Sequence, residues 1–234
     1  MRLEPREQFY LDRARELAAR GVGNTTPNPA VGAVIVRDGV TLGEGHHRVR
    51  GGPHAEVVAL DEARRRGRDI RGATLFVTLE PCNHYGLTPP CSDAVVDSGI
   101  ARAVVGVRDP NLKTKGEGIA RLRTAGIAVD VVDDPQCAAL IEPFSIAIRS
   151  RRPYVTLKMA ASLDGYVAPR PGSFWLTSPA SRERVRELRI AHDAVMVGAG
   201  TVRIDDPQLT VRPIHARRRP YARVIVCEDD AIAP

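Results

Sequence analysis

The sequence has almost no lysine. Lys113, Lys115 and Lys158 are the only lysines among 34 basic residues, so arginine carries nearly all the positive charge. No apolar run approaches the length of a membrane span, which excludes an integral membrane protein. The opening residues, Met1-Arg2-Leu3-Glu4-Pro5-Arg6-Glu7, are charged and mixed in sign. They lack the apolar stretch of a secretion signal, and a cytoplasmic protein is expected. Internal repeats and low-complexity tracts are missing too. Cysteine is scarce, and Cys82, Cys91, Cys137 and Cys227 do not make a disulfide scaffold in a cytoplasmic chain of 234 residues.

What is present is a foldable composition. Hydrophobic residues make up 43% of the 234 positions, enough for one large or two small domains with their own cores. The net charge of +6 is unevenly placed. Residues 1–148 hold 19 basic and 19 acidic side chains, whereas residues 149–234 hold 15 and 9. Such an excess fits nucleic acid, a phosphorylated small molecule, or no more than solvated surface arginines.

Apolar spacing predicts a helix over residues 6–20, ended by Gly21 and Gly23. Thr26-Pro27-Asn28-Pro29 reads as a turn, residues 31–36 as a strand, and Asp38-Gly39 as a hairpin signal. Gly43-Glu44-Gly45-His46-His47 reads as a loop. A helix then starts near His54, a β-forming run covers 74–79, and a helix starts near Cys91. Further strands are expected over 102–107 and 127–132, with a helix over 119–124 between them. Residues 149–153 read as a linker. Beyond it come strands over 155–159, 194–197 and 221–227 and a helix over 178–191 with Ser178 or Thr177 as its cap. Alternating elements of this kind give layered α/β domains.

One constellation carries chemistry. His54-Ala55-Glu56, Pro81-Cys82 and Pro90-Cys91 each sit where a loop meets a helix start or a strand ends. Two thiolates and an imidazole are good zinc ligands, and three protein ligands leave a fourth tetrahedral position open, as in catalytic sites. A helix start also lowers a thiol pKa. Glu56, two residues from His54, points away from it on a regular helix, so the metal belongs off the helix's N-terminal end. A carboxylate there can take a proton from the attacking water and pass it to a leaving amine, the logic of zinc deaminases. Alone, His-x-Glu is an ordinary helix fragment. In this order, with a β-run feeding Cys82, it points to a deaminase, although eight residues separate the cysteines where two are usual.

That variant resembles a family. Thr26-Pro27-Asn28-Pro29-Ala30-Val31-Gly32, His54-Ala55-Glu56 and the stretch from Thr78-Leu79-Glu80-Pro81-Cys82 through Asn83-His84-Tyr85-Gly86-Leu87-Thr88-Pro89-Pro90-Cys91 closely resemble the bifunctional riboflavin-biosynthesis deaminase/reductases, the RibD family. Lys158-Met159-Ala160-Ala161-Ser162-Leu163-Asp164-Gly165 and Gly200-Thr201-Val202-Arg203-Ile204-Asp205-Asp206-Pro207 extend the likeness. The resemblance implies a three-layer cytidine-deaminase-like domain over 1–148, followed over 149–234 by a partial dihydrofolate-reductase-like α/β domain. It implies hydrolytic deamination of 2,5-diamino-6-(5-phosphoribosylamino)pyrimidin-4(3H)-one, then an NADPH-dependent reduction of ribosyl to ribityl. His54, Cys82 and Cys91 would hold Zn2+, and Glu56 would move the proton. Asn28, His47 and His84 would face the pyrimidine and phosphoribosyl groups. In the reductase part, Ser173, Arg189, Leu209 and Arg212 would face substrate, and Met159, Trp175, Thr201 and Asp205 would face NADPH.

The match also departs from the family. Leu87 stands where a basic residue is usual, Leu112 replaces a proline, and Glu117 stands where a basic residue is common. The reductase domain of the family needs about 200 residues, within the ordinary domain range, and the part after the linker is much shorter. Its strands would lack neighbours, so exposed edges make a homo-oligomer plausible and NADPH turnover by this chain is not expected. Two other functions compete. A tRNA adenosine deaminase could use Arg217-Arg218-Arg219, but the basic excess lies outside the catalytic part. A zinc-stabilised scaffold without activity would need no proton shuttle. A free phosphorylated pyrimidine is therefore the expected partner, with neither nucleic acid nor membrane.

Overall fold

A computed structural model describes residues 3–111, 116–167, 175–212 and 219–228. The chain divides by its contacts into two units, Met1–Tyr154 and Val155–Pro234. Among the described residues no helix is long and apolar enough to cross a membrane.

The first unit is built on a five-stranded sheet. Its strands are β1 (Gly32–Arg37), β2 (Val40–His46), β3 (Thr74–Leu79), β4 (Arg102–Val107) and β5 (Ala128–Val131), in the order β2-β1-β3-β4-β5. β1 runs antiparallel to both β2 and β3, while β3, β4 and β5 run parallel. The β1–β2 hairpin turns at Asp38 and Gly39, both with positive φ, the geometry that the Asp-Gly pair predicts. β3 and β4 are buried along nearly their whole length, which explains their unbroken Val, Leu and Ala runs.

Helices cover both faces. α1 (Pro5–Ala19) packs on β1 and β3 and touches α5 (Pro135–Leu140). α2 (Ala55–Arg65) packs on β2 and β1 and is followed on its side by α3 (Cys91–Asp97) and α4 (Glu117–Thr124). This is the expected three-layer arrangement. α1 starts with a capping box between Glu4 and Glu7 and buries Leu11, Ala14, Leu17 and Ala18. The alanines allow a close approach, since a β-carbon on Gly32 would lie 2.0 Å from Ala14 O.

Two expectations fail for identifiable reasons. The Gly43–His47 stretch is not a loop, because β2 runs through to His46. Its glycines were misleading signals. A β-carbon on Gly43 would lie 2.2 Å from Ala59 O, and one on Gly45 2.3 Å from Ala55 O. Glycine is there so that α2 can lie against the strand, not to turn the chain. The apolar run over 155–159 forms no strand, and Val155 and Leu157 are about four-fifths exposed at 79% and 82%. Among the described residues no strand pairs with it. The segment after Leu140 forms α6 (Glu142–Ser150), whose last two residues take up the start of the expected 149–153 linker.

The second unit holds α7 (Pro179–Ala191), β6 (Ala194–Gly198), α8 (Ala199–Asp205) and β7 (Ala222–Val226). Ser178 caps α7 by accepting from Ser181 N. β6 and β7 pair in parallel, from Ala194↔Ala222 to Gly198↔Val226.

The fit of α2 on β2 gives a direct test. Gly45→Ala is expected to lower stability by about 1–3 kcal/mol, because the backbone of α2 cannot yield as a flexible side chain would. Urea unfolding followed by circular dichroism measures it, and an unchanged midpoint contradicts the packing argument.

Candidate metal centre

The sheet topology brings distant segments to one place. β1 runs antiparallel to β3, so the start of β1 lies beside the end of β3. There Gly32 N donates to Thr78 Oγ1 over 3.2 Å. β2 returns along β1 and pairs His46 with Gly32. Asn28, His47 and Cys82 therefore stand at one end of the sheet, beyond the C-terminal ends of the parallel strands, where α/β folds place ligands.

Two helix starts complete the group. His54 is the N-cap residue of α2 in extended conformation, and Glu56 lies buried in that helix's first turn. Cys91 is the first residue of α3. The ligand atoms of His54, Cys82 and Cys91 all lie within 4.8 Å of one another. His54 Nδ1 is 3.1 Å from Cys91 Sγ and 3.5 Å from Cys82 Sγ. A tetrahedral zinc with bonds of about 2.0–2.3 Å needs such donors roughly 3.5–3.8 Å apart. One imidazole and two thiols at this spacing fit a zinc ion, and His54, Cys82 and Cys91 would hold it with one position left open.

The unusual gap between the cysteines is closed by backbone. Cys91 N donates to Cys82 Sγ over 3.3 Å and Ser92 N to Cys82 O over 3.1 Å. Ser92 Oγ donates to Asn83 Oδ1 over 2.7 Å. The intervening residues loop out and return, and His84, Gly86, Leu87 and Thr88 of that loop line a cavity. The extra residues are thus the wall of the pocket.

Without metal, the three donors share their protons unequally. The Cys91 thiol hydrogen-bonds Cys82 and holds it well below the usual thiol range, while Cys91 itself is pushed up by keeping that proton. Hydrogen bonding to Cys82 raises His54. Burial pushes the Glu56 carboxyl up to about 7, with the negative Cys82 adding to the shift. Such a value suits a group that both takes and gives a proton near neutrality.

The cavity above these groups measures about 260 Å3. Asn28 and His47 form part of its wall and fix each other. His47 Nδ1 donates to Pro53 O over 3.1 Å, leaving Nε2 to accept from Asn28 Nδ2 at 3.1 Å. Burial lowers the His47 pKa, which favours this neutral tautomer. His84 is exposed and lines the same cavity.

Sequence patterns missed several neighbours. Glu80 is buried, and its two carboxylate oxygens accept from Asp109 N at 3.1 Å and Ile119 N at 3.2 Å. It thereby ties the loop after β4 and the start of α4 to the end of β3. Its signal was a carboxylate at the end of a buried β-run. Thr88 Oγ1 lies 3.5 Å from His54 Nε2, and Phe144 of α6 and Arg50 also line the cavity. Nothing local marks these.

The residues expected to serve a reductase are less concentrated. Arg189 Nη1 donates to Thr210 O over 3.0 Å and Arg212 Nε to Thr210 Oγ1 over 3.2 Å, beside the buried Leu209. Those three therefore meet around one loop. Met159 and Trp175 are 65% and 73% exposed, and Arg182 stacks on the Trp175 ring at 4.6 Å. Thr201 and Asp205 are exposed on α8. Ser173, Arg217 and Arg218 lie outside the described residues, and Arg219 pairs with Asp193 at 3.2 Å.

Comparison with known proteins matches two stretches of the chain to two family models. Residues 5–107 match the cytidine and deoxycytidylate deaminase zinc-binding region, and residues 153–233 match the RibD C-terminal domain. The riboflavin biosynthesis protein RibD of Aquifex aeolicus is 48% identical over 94% of this chain and 61% of its own length. That of Escherichia coli is 47% identical over 88% of this chain and 56% of its own. A crystal structure of the diaminohydroxyphosphoribosylaminopyrimidine deaminase/5-amino-6-(5-phosphoribosylamino)uracil reductase of Thermotoga maritima superposes with a TM-score of 0.88. It has 47% identity and covers 94% of this chain and 62% of that one. RibD of Acinetobacter baumannii gives 0.87 at 42% identity, covering 97% and 65%. The chain spans about three fifths of the length of the curated relatives it matches.

Two outcomes are expected at the centre. The purified chain should carry about one zinc per molecule, and Cys82→Ser or Cys91→Ser should lose most of it, measured by elemental analysis after dialysis. Retention by both variants would remove these thiols from the ligand set. Glu80→Ala should destabilise the unit by about 1–3 kcal/mol by taking the carboxylate acceptor from the buried Ile119 N–H and from Asp109 N. Glu80→Gln should lose less, since its carbonyl still accepts one of them. Equal unfolding midpoints for both variants and the wild type would contradict the anchoring role.

Proposed function

The chain is a homologue of the RibD riboflavin-biosynthesis proteins over most of its length, and from that premise we propose that its first unit is a zinc-dependent hydrolytic deaminase. Its substrate would be 2,5-diamino-6-(5-phosphoribosylamino)pyrimidin-4(3H)-one. The observation that carries the reading is the buried Glu56 carboxyl, next to the His54, Cys82 and Cys91 donors on the floor of a walled cavity.

The reaction breaks the bond from pyrimidine C2 to its amino nitrogen and forms one to a water oxygen. When bound, zinc supplies the Lewis acidity that makes water nucleophilic near neutral pH. Glu56 takes a proton from the attacking water and returns it to the departing nitrogen, which leaves as ammonia. A carboxyl near pH 7 is matched to both halves of that transfer. Asn28 presents its amide to the ring edge, and the neutral His47 that it holds keeps the amide oriented. The walls formed by Leu87 and Phe144 keep bulk water from the rest of the ring.

The match of residues 153–233 to the RibD C-terminal domain implies NADPH as the cofactor of a reductase. Met159, Trp175, Thr201 and Asp205 are all exposed, and among the described residues they close no cradle around a nucleotide. Action on a free nucleotide in the cytoplasm, without nucleic acid, belongs to the same proposal.

Ammonia release from the diaminopyrimidine nucleotide tests the reading. Activity is expected with the zinc-loaded chain and lost on chelation. Glu56→Gln should retain zinc yet fall by about 10²–10⁴-fold. A Glu56→Gln variant as active as wild type would favour a scaffold. Deamination of tRNA in place of the nucleotide would favour an editing enzyme.

A further inference from the structure

The cavity has an acidic interior. Glu56, Glu80 and Asp109 line it, and Arg50 is the one lysine or arginine among its described lining residues. A phosphorylated substrate must keep its phosphate away from those carboxylates, and the uneven charge leaves one place for it. We propose that Arg50 is the phosphate-binding residue of this cavity, receiving the phosphate monoester of the substrate. The inference rests on the deaminase reading only for the rest of the ligand.

Backbone geometry presents Arg50 for that role. Gly52 N donates to Val49 O over 3.0 Å, closing a turn with Arg50 and Gly51 at its centre. Gly51 has φ +81°, a left-handed value that glycine adopts without strain. The turn lies between His47 and His54, which both line the cavity, so Arg50 is tied to the site on either side. Its side chain is exposed and has no ion pair or hydrogen bond among the described residues. Arg13 and Arg121 of the same unit are instead committed, to Glu44 at 2.8 Å and to Asp93 at 3.0 Å.

The opposite lip of the cavity offers no charge to compete. Leu87 stands there, and a β-carbon on Gly51 would lie 3.7 Å from its Cδ1. Leu87 and the Arg50 turn are therefore immediate neighbours across the mouth. A guanidinium makes charge-assisted bonds to a phosphate. It also reaches two phosphate oxygens at once, which a lysine at the same place would not.

Ribose 5-phosphate and ribose separate this role from the chemistry. Calorimetry is expected to show ribose 5-phosphate binding to the zinc-loaded wild type and Arg50→Ala weakening it about tenfold to a hundredfold. Ribose should bind the two proteins alike. In the deaminase assay Arg50→Ala should raise KM by a similar factor with kcat little changed. Adding Leu87→Lys to Arg50→Ala should recover much of the affinity, which a merely structural role for Arg50 would not permit. Wild type and Arg50→Ala binding ribose 5-phosphate equally, or wild type not binding it at all, would overturn the proposal. Deamination by wild type with an unchanged KM in Arg50→Ala would sink it while leaving the deaminase reading intact. Arg50-dependent binding without any deamination would sustain it while the deaminase reading fails.

Discussion

α2 can carry His54 and Glu56 to the two thiols because β2 has no side chains at Gly43 and Gly45. A helix ordinarily rides on a sheet at a distance set by the side chains between them. Here two glycines bring the carbonyls of Ala55 and Ala59 to within 2.3 Å and 2.2 Å of where a β-carbon would stand. The first of those carbonyls belongs to the residue between His54 and Glu56. A shift of the helix start would thus displace a metal ligand and the proton shuttle together. Gly32 does the same on the other face, where α1 reaches β1 through Ala14. The two close contacts hold the β1–β2 hairpin between helices, and with it the end of the sheet where Asn28 and His47 emerge.

Much of this was legible from residue order, but through two different kinds of signal. α1, α2, β3 and β4 follow from apolar periodicity, because each buries one face or both against the core. The donor set follows from residue type, since few side chains besides cysteine and histidine offer soft ligands, and both cysteines sit after prolines at element ends. β2 was hidden because glycine carries opposite meanings, a turn in isolation and a close approach under a helix. The run over 155–159 misleads for the converse reason. Val155, Leu157 and Met159 have strand chemistry, but pairing is a property of the neighbour, and none is present among the described residues.

Most of the residues that escaped sequence reasoning share one property. Glu80, Thr88 and Phe144 act across gaps set by topology, while Arg50 sits in a short turn that no periodicity marks. Glu80 meets Ile119 N, 39 positions away, because β3 and β4 are parallel and α4 returns over their ends. A buried carboxylate that accepts two backbone N–H groups is well solvated by the protein itself. It can then line the same cavity as Glu56 without serving in the chemistry. Both acids are buried and differ in their neighbours: Glu80 accepts from two backbone N–H groups, whereas Glu56 lies by the negative Cys82, and burial with that charge lifts its pKa to about 7. Environment, not residue type, separates the anchor from the acid–base group.

The long gap between the cysteines has a mechanical consequence. With two residues between the thiols, the connecting chain would be spent on bringing the donors together. Here that task falls to backbone bonds at the two ends of the loop, from Cys91 N to Cys82 Sγ and from Ser92 N to Cys82 O. The residues between are released from it, and four of them face the cavity. The wall that meets substrate can therefore change its side chains without moving the metal ligands. Leu87 shows this freedom: it is an apolar side chain on a loop whose ends are pinned, beside the turn that holds Arg50. Recognition of the substrate and construction of the metal centre are separated along the chain, and the backbone at Cys82 is where they are joined.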